Sequence, residues 1–442
     1  MPAAEQLVTA PAPTIISWNL TRRCNLACGH CYLDAVQRRG APTGELDTSE
    51  ALSVVEQIAE LAPGAMLVLT GGEPLLRADL VTLVNRAAAS GLAPVIGTNG
   101  TLLSKRRAAE LKDAGAAGVG VSVDSAGSVF HDRLRGVPGA WRAALRGAAA
   151  ARRAGMAVSL QATLFEQNRD DLAALADLAE ALGAMALNFF FLVCTGRGAA
   201  CTDLTPAAYD EMLARIIELQ ASRPRLLIRA RCAPYQRRLL GPSTRESAES
   251  YRAWSGACLA GRSYFRITPQ GHVTPCPYIP EVVGDLGKTA LREIWERHPA
   301  LIRLRTELPG GKCGACDFRY SCGGCRARAL AQHGDLMAED TQCAYVPRLA
   351  AVPEPAPAPV PADVSWEPAA QALLERIPTF ARATVKARLE QAAAHEEISR
   401  ITVEFMRAHR PHFPLSGRPP AGASGETASV QSFPGCALPW DA

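Results

Sequence analysis

The chain has 442 residues, 48% of them hydrophobic, with 14 cysteines and a formal net charge of +4. That length holds two or three domains with ample core, and the charge is too small to mark a nucleic-acid surface or a membrane-binding face. No apolar run is long enough to span a bilayer, and the opening MPAAEQLVTAPAPT lacks the basic region and apolar core of a secretory signal, so a cytoplasmic location is expected. In a reducing cytosol the cysteines point to metal or cluster ligation rather than to disulfides.

From about residue 13 to 192, β-rich runs alternate with helical runs. Strands are expected at 14–20, 65–70, 93–98, 118–123, 157–163 and 186–192. The helical runs between them open with caps such as Thr48 or Ser49 and close at Gly91, Gly115, Gly155 and Gly183. Six β-then-α units in series imply a parallel sheet with right-handed crossovers, either an open doubly wound sheet or a curved partial barrel. Residues 200–250 read as helices and a connector, followed by a cysteine-dense section from 258 to 343. A Pro/Ala linker (348–364) should be extended. A small helical module (365–410) and a Gly/Pro/Ser-rich tail (411–442), expected to be disordered, complete the chain.

The chemistry-bearing motifs fall just beyond strand ends. Cys24 follows the first strand, GGEP the second, TNG the third, and Asp124 with Ser125 the fourth. Parallel α/β folds place active sites on that rim. In CNLACGHC, the thiolates of Cys24, Cys28 and Cys31 suit three irons of a 4Fe–4S cubane and leave the fourth iron without a protein ligand. A zinc site completed by His30 or a distant cysteine is the competing reading.

A second set comprises Cys258, Cys276, Cys313, Cys316, Cys322, Cys325 and Cys343, interleaved with glycines such as Gly271, Gly314, Gly323 and Gly324. So loop-rich a region builds little core, and metal ligation must contribute to its folding. Spacing alone does not separate zinc ribbons from iron–sulfur clusters here. Cys194, Cys201, Cys232 and Cys436 have no chelating spacing and read as buried or idle thiols.

CNLACGHCY and GGEP together resemble the two hallmarks of the radical S-adenosylmethionine (SAM) enzymes, over roughly residues 14–200. The resemblance implies a partial (β/α)6 TIM-like barrel spanning residues 14–235, after an N-terminal extension (1–13). It implies a 4Fe–4S cluster whose open iron is chelated by the amino group and carboxylate of SAM. Reductive cleavage then yields a 5′-deoxyadenosyl radical that abstracts a substrate hydrogen, with a flavodoxin- or ferredoxin-type electron donor. By match, Gly71, Gly72, Glu73 and Pro74 would bind the methionyl amino group, the glycines allowing close backbone approach. Ser122 and Asp124 would face the ribose or substrate, Asp124 counting with the three cysteines as catalytic. Arg135, with Arg133 as competitor, would pair with the methionyl carboxylate. Thr98, Asn99, Gln161 and Asn188 would face the same cavity.

The later cysteines resemble the SPASM auxiliary-cluster extension, over 250–347, which implies two more 4Fe–4S clusters. Cys313, Cys316, Cys322 and Cys343 would hold the outer one, and Cys258, Cys276 and Cys325 the inner one. The extra cysteine often found shortly after the first is missing from LAGRSYF (259–265), so the inner cluster has one open or non-cysteine position near Arg262 or Ser263. The last pair is C-x2-C rather than C-x3-C. Both departures, and the strings CGGCRARA and TGRG, resemble the branch that modifies haem precursors. The module at 365–410 is similar to the C-terminal helical domain of light-independent protochlorophyllide reductase subunits. Both hints favour a tetrapyrrole substrate whose acidic side chains are decarboxylated or oxidised, with Arg197, Arg262 and Arg266 as cationic partners. The alternatives are a maturase that cross-links or activates a ribosomally made peptide, and an iron–sulfur electron-transfer protein. The first usually carries an N-terminal peptide-binding domain, for which about a dozen residues before the first strand leave no room; the second has no need of an open iron.

Overall fold

Seven strands pair in parallel in the order of the chain: β1 (Ile15–Asn19), β2 (Met66–Thr70), β3 (Ala93–Thr98), β4 (Gly118–Ser122), β5 (Ala157–Leu164), β6 (Ala186–Phe191) and β7 (Leu227–Arg231). Helices fill every crossover. They are α1 (Thr48–Leu61), α2 (Leu80–Ala89), α3 (Lys105–Asp113), α4 (Ser128–Arg135), α5 (Ala140–Arg153), α6 (Leu172–Ala181) and α7 (Pro206–Ser222). Right-handed crossovers that always step the same way put every helix on one face of the sheet. The other face turns inward, and the sheet curls into a partial barrel. A doubly wound sheet needs a reversal of strand order, and β1 to β7 contain none. This computed structural model describes residues 12–35, 44–200, 204–239, 258–319, 322–347, 364–375 and, with gaps, 385–409.

The six expected strands are present within a residue or two. The seventh, β7, falls where helices and a connector were expected; its LIRAR sequence is short and carries two arginines. β8 (Tyr264–Ile267) then pairs in parallel with the free side of β1, with Ser17 opposite Arg266. β9 (His272–Thr274) and β10 (Gly284–Asp285) add antiparallel strands beyond it. The cysteine-rich extension is thus built onto the barrel edge.

Alternation along the strands sorts the residues. Ile16, Trp18, Leu67, Leu69, Leu160, Leu187 and Ile228 are fully buried under the helices. The opposite face carries Ser17, Asn19, Thr70, Gln161, Asn188 and Arg229, so the inner face is polar. The first helix is capped one residue earlier than expected: Asp47 accepts from the Glu50 amide while Glu50 accepts from the Asp47 amide, a capping box. Gly91, Gly115, Gly155 and Gly183 end their helices with positive φ, as expected.

Near the C-terminus, the helix Pro368–Glu375, the short parallel strands Ser365–Trp366 and Arg400–Ile401, and the helix Val403–Ala408 surround a core that includes Ala370, Leu374, Leu389, Ile401 and Phe405. The N-terminal extension before residue 12, the linker at 348–363 and the tail from 410 lie outside the described residues.

Helix α5 crosses the loop after β3 at Gly147, where an added Cβ would fall well inside contact distance of the Gly100 carbonyl. Alanine would gain about 1 kcal/mol of helix propensity; displacing packed backbone costs roughly 1–3 kcal/mol. Gly147→Ala should therefore lower the thermal midpoint. A raised midpoint would mean that α5 and the TNG loop are not in this contact.

Candidate active site

The cysteine loop leaves β1 and is held from beneath by GGEP. Gly72 N donates to the Thr21 carbonyl at 2.7 Å, and Glu73 N to the Arg23 carbonyl at 2.8 Å. A Cβ at Gly71, whose φ is +138°, would stand 2.6 Å from the Thr21 oxygen, and one at Gly72 would overlap the Arg23 carbonyl. The close approach these glycines permit is to the chain's own backbone, which fixes the loop that carries the thiols. Pro74 then opens a single 3-10 turn.

Glu73 is completely buried. Its Oε1 accepts from Thr98 Oγ1 (2.7 Å) and Leu75 N (3.1 Å), and its Oε2 from Asn99 N (2.9 Å). Burial outweighs these three donors and pushes its carboxyl up to about 7. The carboxylate therefore ties TNG to GGEP. Asn99 in turn donates to Asn25 Oδ1 at 2.9 Å and reaches the Cys24 sulfur at 3.9 Å.

Cys24 and Cys28 are buried against Leu26, Ala35 and Ala140, and Cys31 is partly exposed beside them. Burial, with Glu73 and the neighbouring thiols adding, pushes Cys24 up to about 11. Burial also raises Cys28, which Arg135 Nη1 opposes from 3.7 Å. Such thiols ionise only when a cationic group takes them as ligands. Arg197, expected to face an acidic substrate, straps this loop instead: its Nε donates to the Cys28 carbonyl at 2.9 Å and its Nη1 to the Ala35 carbonyl at 3.2 Å.

Asp124 and Arg135 form a buried pair on the same rim. Arg135 Nε and Nη2 both lie 2.7 Å from Asp124 Oδ2, and Thr163 N donates to Oδ1 at 3.1 Å. Burial would raise the Asp124 carboxyl, but Arg135, helped by His30 and His131, holds it below the usual range. Arg135 is thus engaged by Asp124 and Cys28. Arg133, its competitor, is exposed, with its guanidinium 5.7 Å from the Phe130 ring centre.

Further into the barrel, Ser122, Gln161, Asn188 and Arg229 stand opposite one another on β4, β5, β6 and β7. Gly120 leaves the space that the Gln161 amide fills. The buried Oδ1 atoms of Asn188 and Asn19 have no hydrogen-bond partner among the described residues. A buried acceptor without a donor is costly, so the lumen is fitted to a polar ligand. Arg229 was not anticipated, because β7 was not.

In the extension, Cys313, Cys316, Cys322 and Cys343 line one cavity with Lys312 and Phe318, the set expected for the outer cluster. Cys258, Cys276 and Cys325 pack into one cluster of side chains, and Cys232 packs with them. Arg262 is exposed, and the Ser263 carbonyl is taken by the amides of Thr14 and Ile15. Arg266 Nε donates to Thr274 Oγ1 at 3.0 Å and Nη1 to the Pro277 carbonyl at 3.2 Å. Two residues that spacing did not mark, Arg328 and Asp340, form a buried pair at 3.4 Å within the extension, and Arg328 also donates to the Leu192 carbonyl of the barrel. Among the described residues no three His, Cys, Asp or Glu side chains converge on one point as ligands of a single metal ion. Of the other unassigned cysteines, Cys194 is exposed, and Cys201 and Cys436 lie outside the described residues.

Residues 18–179 match the family model described as the radical SAM superfamily, and 258–325 match an iron–sulfur cluster-binding domain, SPASM. An AdoMet-dependent heme synthase of Methanosarcina barkeri is 36% identical over 344 residues, covering 76% of this chain and 97% of that protein. The chain belongs to the radical SAM superfamily. It is an enzyme of radical chemistry, and its cofactors are SAM and 4Fe–4S clusters. A pre-heme d1 synthase of Dinoroseobacter shibae is 35% identical over 354 residues (75% of this chain, 86% of that protein). A PqqA peptide cyclase of Rhodopseudomonas palustris is 32% identical over 348 residues (76% and 88%). Streptococcus suis SuiB bound to S-adenosylmethionine superposes with a TM-score of 0.61 at 17% identity, covering 76% of this chain and 78% of that one; this supports the fold. Residues 366–410 match a model of the proto-chlorophyllide reductase 57 kD subunit. No helix among the described residues is long and apolar enough to cross a membrane.

Removing either member of the Asp124–Arg135 pair leaves a buried charge alone, at roughly 3–5 kcal/mol. Asp124→Asn and Arg135→Gln should each cost that much in anaerobic denaturant unfolding, and the double variant less than their sum. Additive losses would mean that the two side chains act independently.

Proposed function

We propose that this radical SAM enzyme acts on a tetrapyrrole, removing or oxidising an acidic side chain of a haem-type precursor. The observation that carries this is the 36% identity with an AdoMet-dependent heme synthase across 97% of that protein's length. The lumen supports it: the row Ser122, Gln161, Asn188 and Arg229 offers hydrogen bonds and a positive charge to a ligand with carboxylates. The Asp124–Arg135 pair closes the rim above it.

Cys24, Cys28 and Cys31 would hold the first cluster, and the missing fourth thiol leaves one position for SAM. Bound together, cluster and SAM supply one-electron cleavage of the sulfonium and hydrogen-atom abstraction. The chain's own residues do the placing. GGEP fixes the cysteine loop through Thr21 and Arg23. Glu73, as a carboxylate beside Cys24, would receive the methionyl amino group. Arg135, held by Asp124, places Nη1 beside Cys28 and would pair with the methionyl carboxylate. Burial of Cys24, Cys28 and Glu73 keeps water from the reacting atoms. Cys313, Cys316, Cys322 and Cys343 would hold the outer auxiliary cluster, and a flavodoxin- or ferredoxin-type protein supplies the electron.

Two measurements test this reading. Anaerobic turnover with an iron-coproporphyrin-type substrate should release 5′-deoxyadenosine, with loss of carbon dioxide and two hydrogens from each propionate converted; no mass change with any tetrapyrrole, alongside modification of a peptide, would overturn it. An ionised Glu73 accepts the N–H bonds of an iron-bound amine better than a neutral carboxyl does, so SAM cleavage should rise as pH increases through about 7. Glu73→Gln should lower the rate and abolish that limb; a profile unchanged by the substitution would remove Glu73 from the role.

A further inference from the structure

The inner set of cysteines was one thiol short by its spacing, and the fold supplies a fourth from another part of the chain. We propose that Cys232, the residue that follows β7, is the fourth thiolate ligand of the inner auxiliary cluster, with Cys258, Cys276 and Cys325. This rests on the reading of the extension as a two-cluster domain.

The placement is the first argument. Cys232 packs in the same group of side chains as Cys258, Cys276, Cys325 and Tyr278. The four side chains therefore gather in one place, although Cys232 stands twenty-six positions before Cys258 in the chain.

The backbone is the second argument. Cys232 has φ +59°, and among the described residues Asp34 is the other non-glycine with positive φ. A Cβ in that region costs roughly 1–2 kcal/mol, and glycine or asparagine would relieve it. The surroundings enforce the conformation. Arg328 donates to the Cys232 carbonyl through both Nη1 and Nη2, each at 3.2 Å. Arg328 also pairs with Asp340, whose Oδ2 accepts the Cys325 amide at 2.8 Å. One buried pair thus fixes the backbones of two of the four proposed ligands relative to each other.

The consequence is chemical. A cubane held by four thiolates has no open iron. The inner cluster then cannot ligate the substrate and can only accept or pass an electron, whereas the three-thiol first site keeps its vacancy.

The test uses the full chain carrying Cys24→Ala, Cys28→Ala and Cys31→Ala as parent, isolated anaerobically, so that the auxiliary sites alone hold iron. Two cubanes give about eight irons per chain. The parent's reduced electron paramagnetic resonance spectrum should be indifferent to added cyanide. Cys232→Gly removes the thiol and suits the left-handed backbone, so misfolding does not explain its effect; retained far-UV circular dichroism checks this. It should either reduce the iron to about four per chain or leave a cluster whose spectrum shifts on adding cyanide. Cys232→Ser should keep the iron but alter the spectrum. The proposal is overturned if the glycine variant keeps the parent's iron and a cyanide-indifferent spectrum, or if the parent itself responds to cyanide. A parent with about four irons would instead overturn the two-cluster reading and the proposal with it.

Discussion

Arg328 and Asp340, 3% and 0% exposed, form the contact on which the arrangement of the whole site depends. The guanidinium reaches the Leu192 carbonyl after β6 (3.1 Å), the Tyr209 hydroxyl on α7 (3.0 Å) and the Cys232 carbonyl after β7. The carboxylate receives the Cys325 amide, and the Asp340 amide points to the Cys313 sulfur at 3.3 Å. A buried ion pair gains little net stability, because desolvation offsets its attraction. Its value here is that Nη1, Nη2 and both carboxylate oxygens have fixed partners, so the barrel end and both auxiliary cysteine sets hold one register.

That contact also answers a problem of the partial barrel. A sheet that curls without closing has two free edges, at β1 and β7. The extension covers the first by pairing β8 with β1. It grips the second through Arg328, at the ends of β6 and β7. The same short, cysteine-rich segment therefore bridges the opening and sets the auxiliary thiols beside the lumen. Tyr32, which follows Cys31, receives a hydrogen bond from Asn19 at 2.9 Å and packs 5.3 Å from Tyr278, two residues after Cys276. Aromatic side chains thus fill the space between the first cysteine loop and the inner set.

Much of this was legible in the sequence because the chemistry sits at strand ends. Cys24, GGEP, TNG and Asp124 each follow a β-rich run, and the sheet brings them onto one rim. Ser122, Gln161 and Asn188 were named through the family resemblance, and the strand register sets them in one row. What was hidden depended on β7. LIRAR is too short and too basic to announce a strand, so Arg229 and Cys232 lost the positional signal that marked Cys24. Arginines were misread for another reason. Arg197 and Arg266 are spent on backbone carbonyls and a threonine hydroxyl; composition shows a charge but not the partner that folding gives it. The glycines of GGEP were read as making room for a ligand, and the atoms they admit are Thr21 and Arg23.

Two vacancies are visible in the spacing of the cysteines, and the structure treats them differently. The inner one is assigned Cys232, which follows β7 and packs with the other three thiols. The first site has Glu73, Asn99 and the Asp124–Arg135 pair around its three thiols, and the role given to its vacancy is the binding of SAM through its amino group and carboxylate. The most direct measurement is electron–nuclear double resonance on the reduced full-length protein, with SAM carrying nitrogen-15 at the amino group. The account predicts a hyperfine coupling between that nitrogen and the first cluster, lost when Cys28 is replaced by alanine. An intact first cluster that shows no coupling to the label would contradict it.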